Sequence, residues 1–257
     1  MIDTHAHIYL PQFENDIHEV LRRATQTNIT DILLPAIDFV SESQMDELIQ
    51  SAIEYPILLH RMAGIHPCDV RPNLNEAALV TWCDRSDVVA IGESGLDYYW
   101  STEFVKEQKS SLHLHCGIAK SLKKPIVLHN RESTDDVLDI IEQEQDGTLT
   151  GVWHCFNGTE DEGKRAIDLG LLLGIGGVVT FKNGGVDKTV SKLPLSKMIL
   201  ETDSPFLAPA PYRGKRNEPA YTSLVGIKLS EIFGVSLAEI DAITTQNART
   251  LFNLKAD

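Results

Sequence analysis

Short, almost uninterrupted apolar runs recur along the chain, and each gives way to a longer stretch whose apolar positions have helical spacing. The runs lie at residues 2–4, 31–37, 57–65, 88–92, 125–129, 150–155, 171–175 and 198–201, which predicts eight strands. Most are continuous (Ile-Leu-Leu, Val-Val-Ala-Ile, Ile-Val-Leu, Leu-Leu-Leu-Gly-Ile). That is the pattern of strands covered on both faces in a parallel sheet, not of half-solvated hairpins. Helices are predicted over 13–27, 41–54, 74–85, 103–122, 133–145, 159–169, 221–233 and 236–252. Thr159 with Glu162 and Ser236 with Glu239 have capping-box spacing, and Ser133 with Asp136 has a weaker version of it. Strand and helix alternating up to eight strands predict an α/β fold, a closed (β/α)8 TIM barrel, with an open doubly wound sheet as the competing arrangement.

No low-complexity block, charge run or flexible linker divides the sequence, so residues 1–257 read as a single domain. The proline-rich stretch 205–219 follows the last predicted strand and reads as a long functional loop. With 42% hydrophobic and 23% charged residues among 257, the chain has enough apolar material for a sizeable core. Its 23 Lys and Arg against 37 Asp and Glu give a formal charge of −14. Capture of nucleic acid or membrane by a broadly basic surface is excluded, and a phosphate ligand needs a local device such as a metal. Cys68, Cys83, Cys116 and Cys155 form no CxxC pair, which suits a reduced, cytoplasmic protein. The N-terminal Met-Ile-Asp-Thr-His-Ala-His has no secretory pattern, and no window approaches a membrane span. A monomer is the expectation.

The ionisable residues add chemistry to this frame. His5 and His7 are one residue apart in an extended segment, so both imidazoles point to one side and make half of a divalent-metal site. Glu93, His129, His154 and Asp203 each follow a different apolar run. In a parallel barrel the strand C-termini emerge on one face, so these residues are expected to converge there. Six such groups in a buried place would repel or desolvate one another without cations. The set matches a binuclear site with ions about 3.5–4 Å apart. The competing reading of His129 and His154 is as core histidines bonded to backbone carbonyls.

Asp-Thr-His-Ala-His (3–7), Gly-Ile-His-Pro (64–67), Gly-Glu-Ser-Gly-Leu-Asp-Tyr-Tyr (92–99), Leu-His-Asn-Arg (128–131), His-Cys-Phe-Asn-Gly (154–158), Glu-Thr-Asp-Ser-Pro-Phe-Leu (201–207) and Asn-Ala-Arg-Thr-Leu-Phe (247–252) together resemble the TatD family of metal-dependent deoxyribonucleases. The resemblance runs from the first residue to about Leu254. It implies an amidohydrolase-like barrel with two divalent cations, Mg²⁺, Mn²⁺ or Zn²⁺, and an exonuclease trimming DNA, in some relatives also RNA. Carried over by position, it implies His5, His7 and Asp203 as ligands of one ion, Glu93 as the bridge, and His129 and His154 as ligands of the other. His66 matches the histidine that lies beside the metal pocket in the family, and its alternative is packing in the turn before Pro67. Ser94 departs from the Ile, Thr or Cys of relatives and leaves Glu93 in place.

The chemistry expected is attack on phosphorus by an activated water, with Asp203 accepting its proton and Glu201 as the alternative base. Asn157 and Glu201 are expected to orient ligands. Arg131, Arg213, Lys215 and Arg216 are candidate phosphate contacts, and Tyr98, Tyr99 or Trp100 a candidate base platform. His113 and His115, two apart in a helix, face different ways and read as surface or packing residues, as do His18 and His60. Two other functions compete: a small-molecule amidohydrolase or esterase on the same barrel, disfavoured by the lack of an obvious lysine to carbamylate as a bridge, and a metal-binding interaction module without catalysis.

Overall fold

The structure is a computed structural model, which describes residues 1–255. Eight strands lie in one sheet in sequence order: β1 (Ile2–Asp3), β2 (Asp31–Leu34), β3 (Leu58–Ala63), β4 (Val88–Asp97), β5 (Ile126–Arg131), β6 (Gly151–Trp153), β7 (Leu171–Ile175) and β8 (Met198–Leu200). Every neighbouring pair is parallel. The seam between β8 and β1 is joined just beyond the strands: Thr4 N–H donates to Leu200 O, Asp203 N–H to His5 O and His7 N–H to Ser204 O. An all-parallel sheet curled to meet itself in this way is the TIM barrel, and the open sheet is excluded.

Helices α1 (Ile17–Gln26), α2 (Val40–Ser51), α3 (Glu76–Cys83), α4 (Val105–Leu122), α5 (Thr134–Glu144), α6 (Glu160–Asp168), α7 (Val186–Val190), α8 (Thr222–Phe233) and α9 (Leu237–Phe252) connect and surround the strands. Thr159 forms the full capping box with Glu162 at α6, and the Ser236 side chain accepts from Glu239 N–H at α9. Ser133 caps nothing: its hydroxyl donates to Leu96 O and to Asn130 Oδ1 instead. β4 runs five residues beyond the predicted end at 92, and α7 lies in a stretch for which the sequence predicts no element.

Two apolar clusters fill the barrel. The larger lies between the sheet and its helices. The smaller fills the interior with Ile2, Leu33, Met62, Ala90, Val127, Val152 and Ile199, and Ala248 and Phe252 of α9 pack against it. That interior layer, buried to 2% exposure or less, is the floor on which the functional residues stand. No helix among the described residues is long and apolar enough to cross a membrane.

Candidate metal centre

Strand periodicity carries the interior layer upward into the site. Val127, Val152 and Ile199 face the barrel axis, so two residues on, His129, His154 and Glu201 face it as well. β4 reaches the same level by a register shift between Ile91 and Ser94. It is held against β5 so tightly that a Cβ at Gly95 (φ +152°) would overlap the His129 carbonyl oxygen, a position only glycine fills. Glu93 and Asp97, four apart on this strand, are both buried. The β8–β1 seam brings Asp203, at φ +59°, beside His5 and His7.

Glu93 stands at the centre, and its two oxygens face different partners. Oε2 is 3.3 Å from His5 Nε2 and 3.6 Å from His7 Nε2, and these two nitrogens are 3.8 and 3.7 Å from Asp203 Oδ1. Oε1 is 2.8 Å from His154 Nε2, 2.9 Å from His129 Nδ1 and 3.7 Å from His66 Nε2. The six residues expected from sequence therefore meet at one mouth, with His66 beside them. Three sets of donor atoms lie within 4.8 Å of one another: His5, His7 and Glu93; His5, His154 and Asp203; and His66, Glu93 and His129. His5 is fully buried, yet neither ring nitrogen makes a hydrogen bond, and His154 Nδ1 also makes none. Buried polar atoms without partners are costly. Imidazole lone pairs held near carboxylate oxygens, but not bonded to them, fit a divalent cation as the partner that relieves that cost.

The rings are oriented from behind. His7 Nδ1 is 3.1 Å from the Tyr9 hydroxyl, which donates to Pro35 O at 2.7 Å. The hydroxyl proton is thus committed, His7 Nδ1 carries the proton, and its Nε2 lone pair faces the cluster. His129 Nε2 donates to Asp97 Oδ2 at 2.9 Å. Asp97 is fixed in turn because its Oδ1 accepts from the backbone N–H of Tyr99 and of Trp100, each at 3.0 Å. Glu201 Oε1 accepts from Cys155 N–H at 2.5 Å and lies 3.5 Å from His154 Nδ1. Asp97 and Tyr9 were not singled out by the sequence reading. The signal for Asp97 was its period-two spacing from Glu93, and that for Tyr9 its period-two spacing from His7.

The charges divide accordingly. Burial and the neighbouring His5 hold His7 well below the usual imidazole range, and burial with His129 lowers His66 to about 3. Both rings are neutral. Burial opposes protonation of His154 as well, but Glu93 and Glu201 outweigh it and raise it well above the ordinary value. His129 is raised too, because Asp97 and Glu93 outweigh its burial. Burial of Glu93 is overcome by His154, His5 and His66, which hold it well below the carboxylate range. Asp203 goes the other way: burial pushes it up to about 6, against the pull of His154 and His5.

A cavity of about 1020 Å³ opens over the cluster, and Arg131, Arg213, Lys215 and Asn157 line it. The Arg131 guanidinium lies 3.7 Å over the Tyr99 ring, and that of Arg213 lies 4.4 Å over Phe181. Arg216 is directed elsewhere: it makes two hydrogen bonds to Asp16 and one to Gln12 O. Tyr98 is likewise turned to the helix layer, its hydroxyl donating to Asp136 at 2.7 Å. The remaining histidines lie apart from the cluster. His115 packs between Ile65 N–H and Ser111 O; His60 pairs with Asp31, His113 with Glu144 and His18 with Tyr55.

Comparison with known proteins agrees with this architecture. The family described as TatD related DNase matches residues 2–253. The chain is 36% identical to the metal-dependent hydrolase YabD of Bacillus subtilis, over 99% of both chains. It is 30% identical to the 3'-5' ssDNA/RNA exonuclease TatD of Citrobacter koseri, again over 99% of both. Among solved structures, the TatD homologue YjjV of Escherichia coli superposes with a TM-score of 0.89 at 28% identity, covering 99% of this chain and 98% of that one.

Proposed function

The chain belongs to the TatD-related DNase family and is a metal-dependent hydrolase, and from that premise we propose that it cleaves phosphodiester bonds at the ends of DNA strands through a binuclear metal site. The observation that carries this reading is the division of the Glu93 carboxylate between two sets of donors. His5, His7 and Asp203 would hold one ion, His129 and His154 the other, and Glu93 would bridge them. Mixed imidazole and carboxylate donors suit Zn²⁺ and Mn²⁺ well and Mg²⁺ less closely. All six donors come from one chain, so a monomer suffices. Four unpaired cysteines support a reducing, cytoplasmic setting.

Bound ions supply Lewis acidity, which acidifies water and neutralises the charge that builds on phosphoryl oxygens. The protein's own side chains position and move protons. Asp203, whose Oδ1 is the oxygen facing His5 and His7, would accept the proton of the attacking water at its other carboxylate oxygen. His66 Nδ1 accepts the Cys68 N–H at 3.1 Å, so the neutral ring carries its proton on Nε2, which lies 3.3 Å from His129 Nδ1 and 3.7 Å from Glu93 Oε1. That N–H is placed to donate to an oxygen of the scissile phosphate. Arg131, Arg213 and Lys215 at the cavity wall would hold the flanking phosphates. The packed interior layer closes the cavity from below, so substrate can reach the cluster only through the open mouth.

Purified protein with Mn²⁺ or Mg²⁺ should shorten single-stranded DNA progressively from one end and stop on addition of EDTA. Glu93→Gln should lower the rate by on the order of 100-fold or more, as expected when a group acting on developing charge is removed. Undiminished cleavage by that variant would reject the site. Faster turnover of lactones or cyclic amides than of DNA or RNA would reject the substrate class.

A further inference from the structure

We propose that the smaller cavity beside the Glu93 cluster is a second nucleotide subsite, holding a base and a phosphate further along the strand from the bond that is cut. The inference rests on the nuclease reading above and extends it from a bond to a polymer. This cavity measures about 230 Å³, and Cys68 and Trp100 line both it and the larger one, so the two lie side by side about those side chains.

Its walls carry the two features that single-stranded nucleic acid requires, cations for the backbone and ring faces for the bases. Arg71 and Phe104 line it, the guanidinium lying 5.5 Å over the ring. One terminal nitrogen of Arg71 donates to Cys68 O and Val70 O, each at 2.8 Å. The rest of the guanidinium has no acid partner among the described residues. Arg131, also without one, lines the larger cavity beside the shared Trp100, 3.7 Å over Tyr99 and 5.3 Å over Trp100. In a chain with a formal charge of −14, arginines kept on aromatic rings rather than on carboxylates remain available to a phosphate. Trp100 is 68% exposed despite its size. Its backbone is nonetheless pinned, because its N–H donates to Asp97, the carboxylate that orients His129. The indole is therefore a solvent-facing plate on a backbone anchored beside the reaction centre. Glu103 at the lip of the cavity carries the opposite charge and makes no ion pair with Arg71.

The test compares kcat/KM of the full chain with Mn²⁺ on single-stranded oligonucleotides of two and four nucleotides. Wild type should favour the longer by about five- to tenfold, the low end of what one base–aromatic stack gives. Trp100→Ala and Arg71→Glu should each erase most of that gain, and Arg71→Glu should lower the salt dependence of KM for the longer substrate by about one phosphate's worth, roughly 0.7 in log–log slope. Glu103→Gln should increase the gain, an effect that a misfolded variant does not produce. Equal kcat/KM for the two lengths, or a length gain untouched by Trp100→Ala and Arg71→Glu, overturns the subsite while leaving the nuclease in place. No cleavage of either length overturns the nuclease reading and the subsite with it.

Discussion

Asp97→Asn isolates the orienting contact from the metal donors themselves. The wild-type carboxylate is buried, with Oδ1 accepting from Tyr99 and Trp100 N–H and Oδ2 accepting from His129 Nε2 at 2.9 Å. Asparagine keeps an oxygen for the two backbone donors, so its NH₂ must face His129. That NH₂ donates, and the neutral imidazole answers by moving its proton to Nδ1, the nitrogen 2.9 Å from Glu93. The donor lone pair is then lost from one half of the centre while His5, His7 and Asp203 are untouched. Loss of such a partner lowers metal affinity by about 10- to 100-fold, or roughly 1.4 to 2.7 kcal/mol. If asparagine turns the other way, it leaves backbone and amide donors facing each other, at about 1–3 kcal/mol of stability. Calorimetric titration with Mn²⁺ should show two sites in wild type and one weakened site in the variant, with thermal denaturation as the check on folding. Two sites unchanged within twofold, in a folded variant, would refute the tautomer argument. Equal weakening of both would refute the division of labour across Glu93.

Two further outcomes follow from packing and charge. A Cβ at Gly174 would overlap Glu201 Oε2, so Gly174→Ala should cost about 1–3 kcal/mol as an overpacked site, read from the urea midpoint; an unchanged midpoint would mean that Glu201 is free to move. Asp31 is buried, which alone would raise its pKa, but hydrogen bonds from His60 and Thr30 prevail and lower it below the ordinary 3.8. A carboxyl depressed in the folded state contributes stability that is present above its unfolded pKa and lost as pH falls through the folded one. The stability difference between wild type and Asp31→Asn should therefore be full at pH 6 and shrink below about 3.8, as followed by urea unfolding across that range; a difference that grows on acidification contradicts the sign.

The barrel was legible because continuous apolar runs report burial on both faces, and burial is a local property of sequence. The meeting of the candidate donors was legible for a related reason: a charged or imidazole side chain directly after such a run must lie at a strand end, and all the ends lie on one face. What failed needed tertiary information. The apolar run ends at residue 92, yet β4 continues to Asp97 because β5 offers a parallel edge from Leu128 to Arg131. That extension places Leu96 O above Ser133, whose hydroxyl bonds to it and leaves α5 without its expected cap. It also fixes the fate of Tyr98: strand alternation turns Asp97 inward, so its neighbour faces the helix layer and finds Asp136. Arg216 was read from its basic neighbours, but its partner Asp16 lies 200 positions away in sequence.

The acidic balance and a polyanionic substrate become compatible once the location of the cations is considered. Many of the basic groups are neutralised where they stand, as Arg23 is by Glu218, Arg85 by Asp87 and Arg165 by Asp139 and Glu142. Around the cavities the rule changes: Arg131 and Arg213 rest on aromatic rings, which hold a guanidinium in place without cancelling its charge. Net charge governs attraction over distances longer than the Debye length, about 8 Å in physiological salt, and is screened there. Contacts at the mouth act well inside that length. On the proposed nuclease reading, a strand end would meet Arg131, Arg213 and Lys215 at the mouth, whereas a surface of net charge −14 would give little nonspecific hold on a duplex. Such a surface would favour termini over internal stretches, in keeping with the proposed trimming from an end.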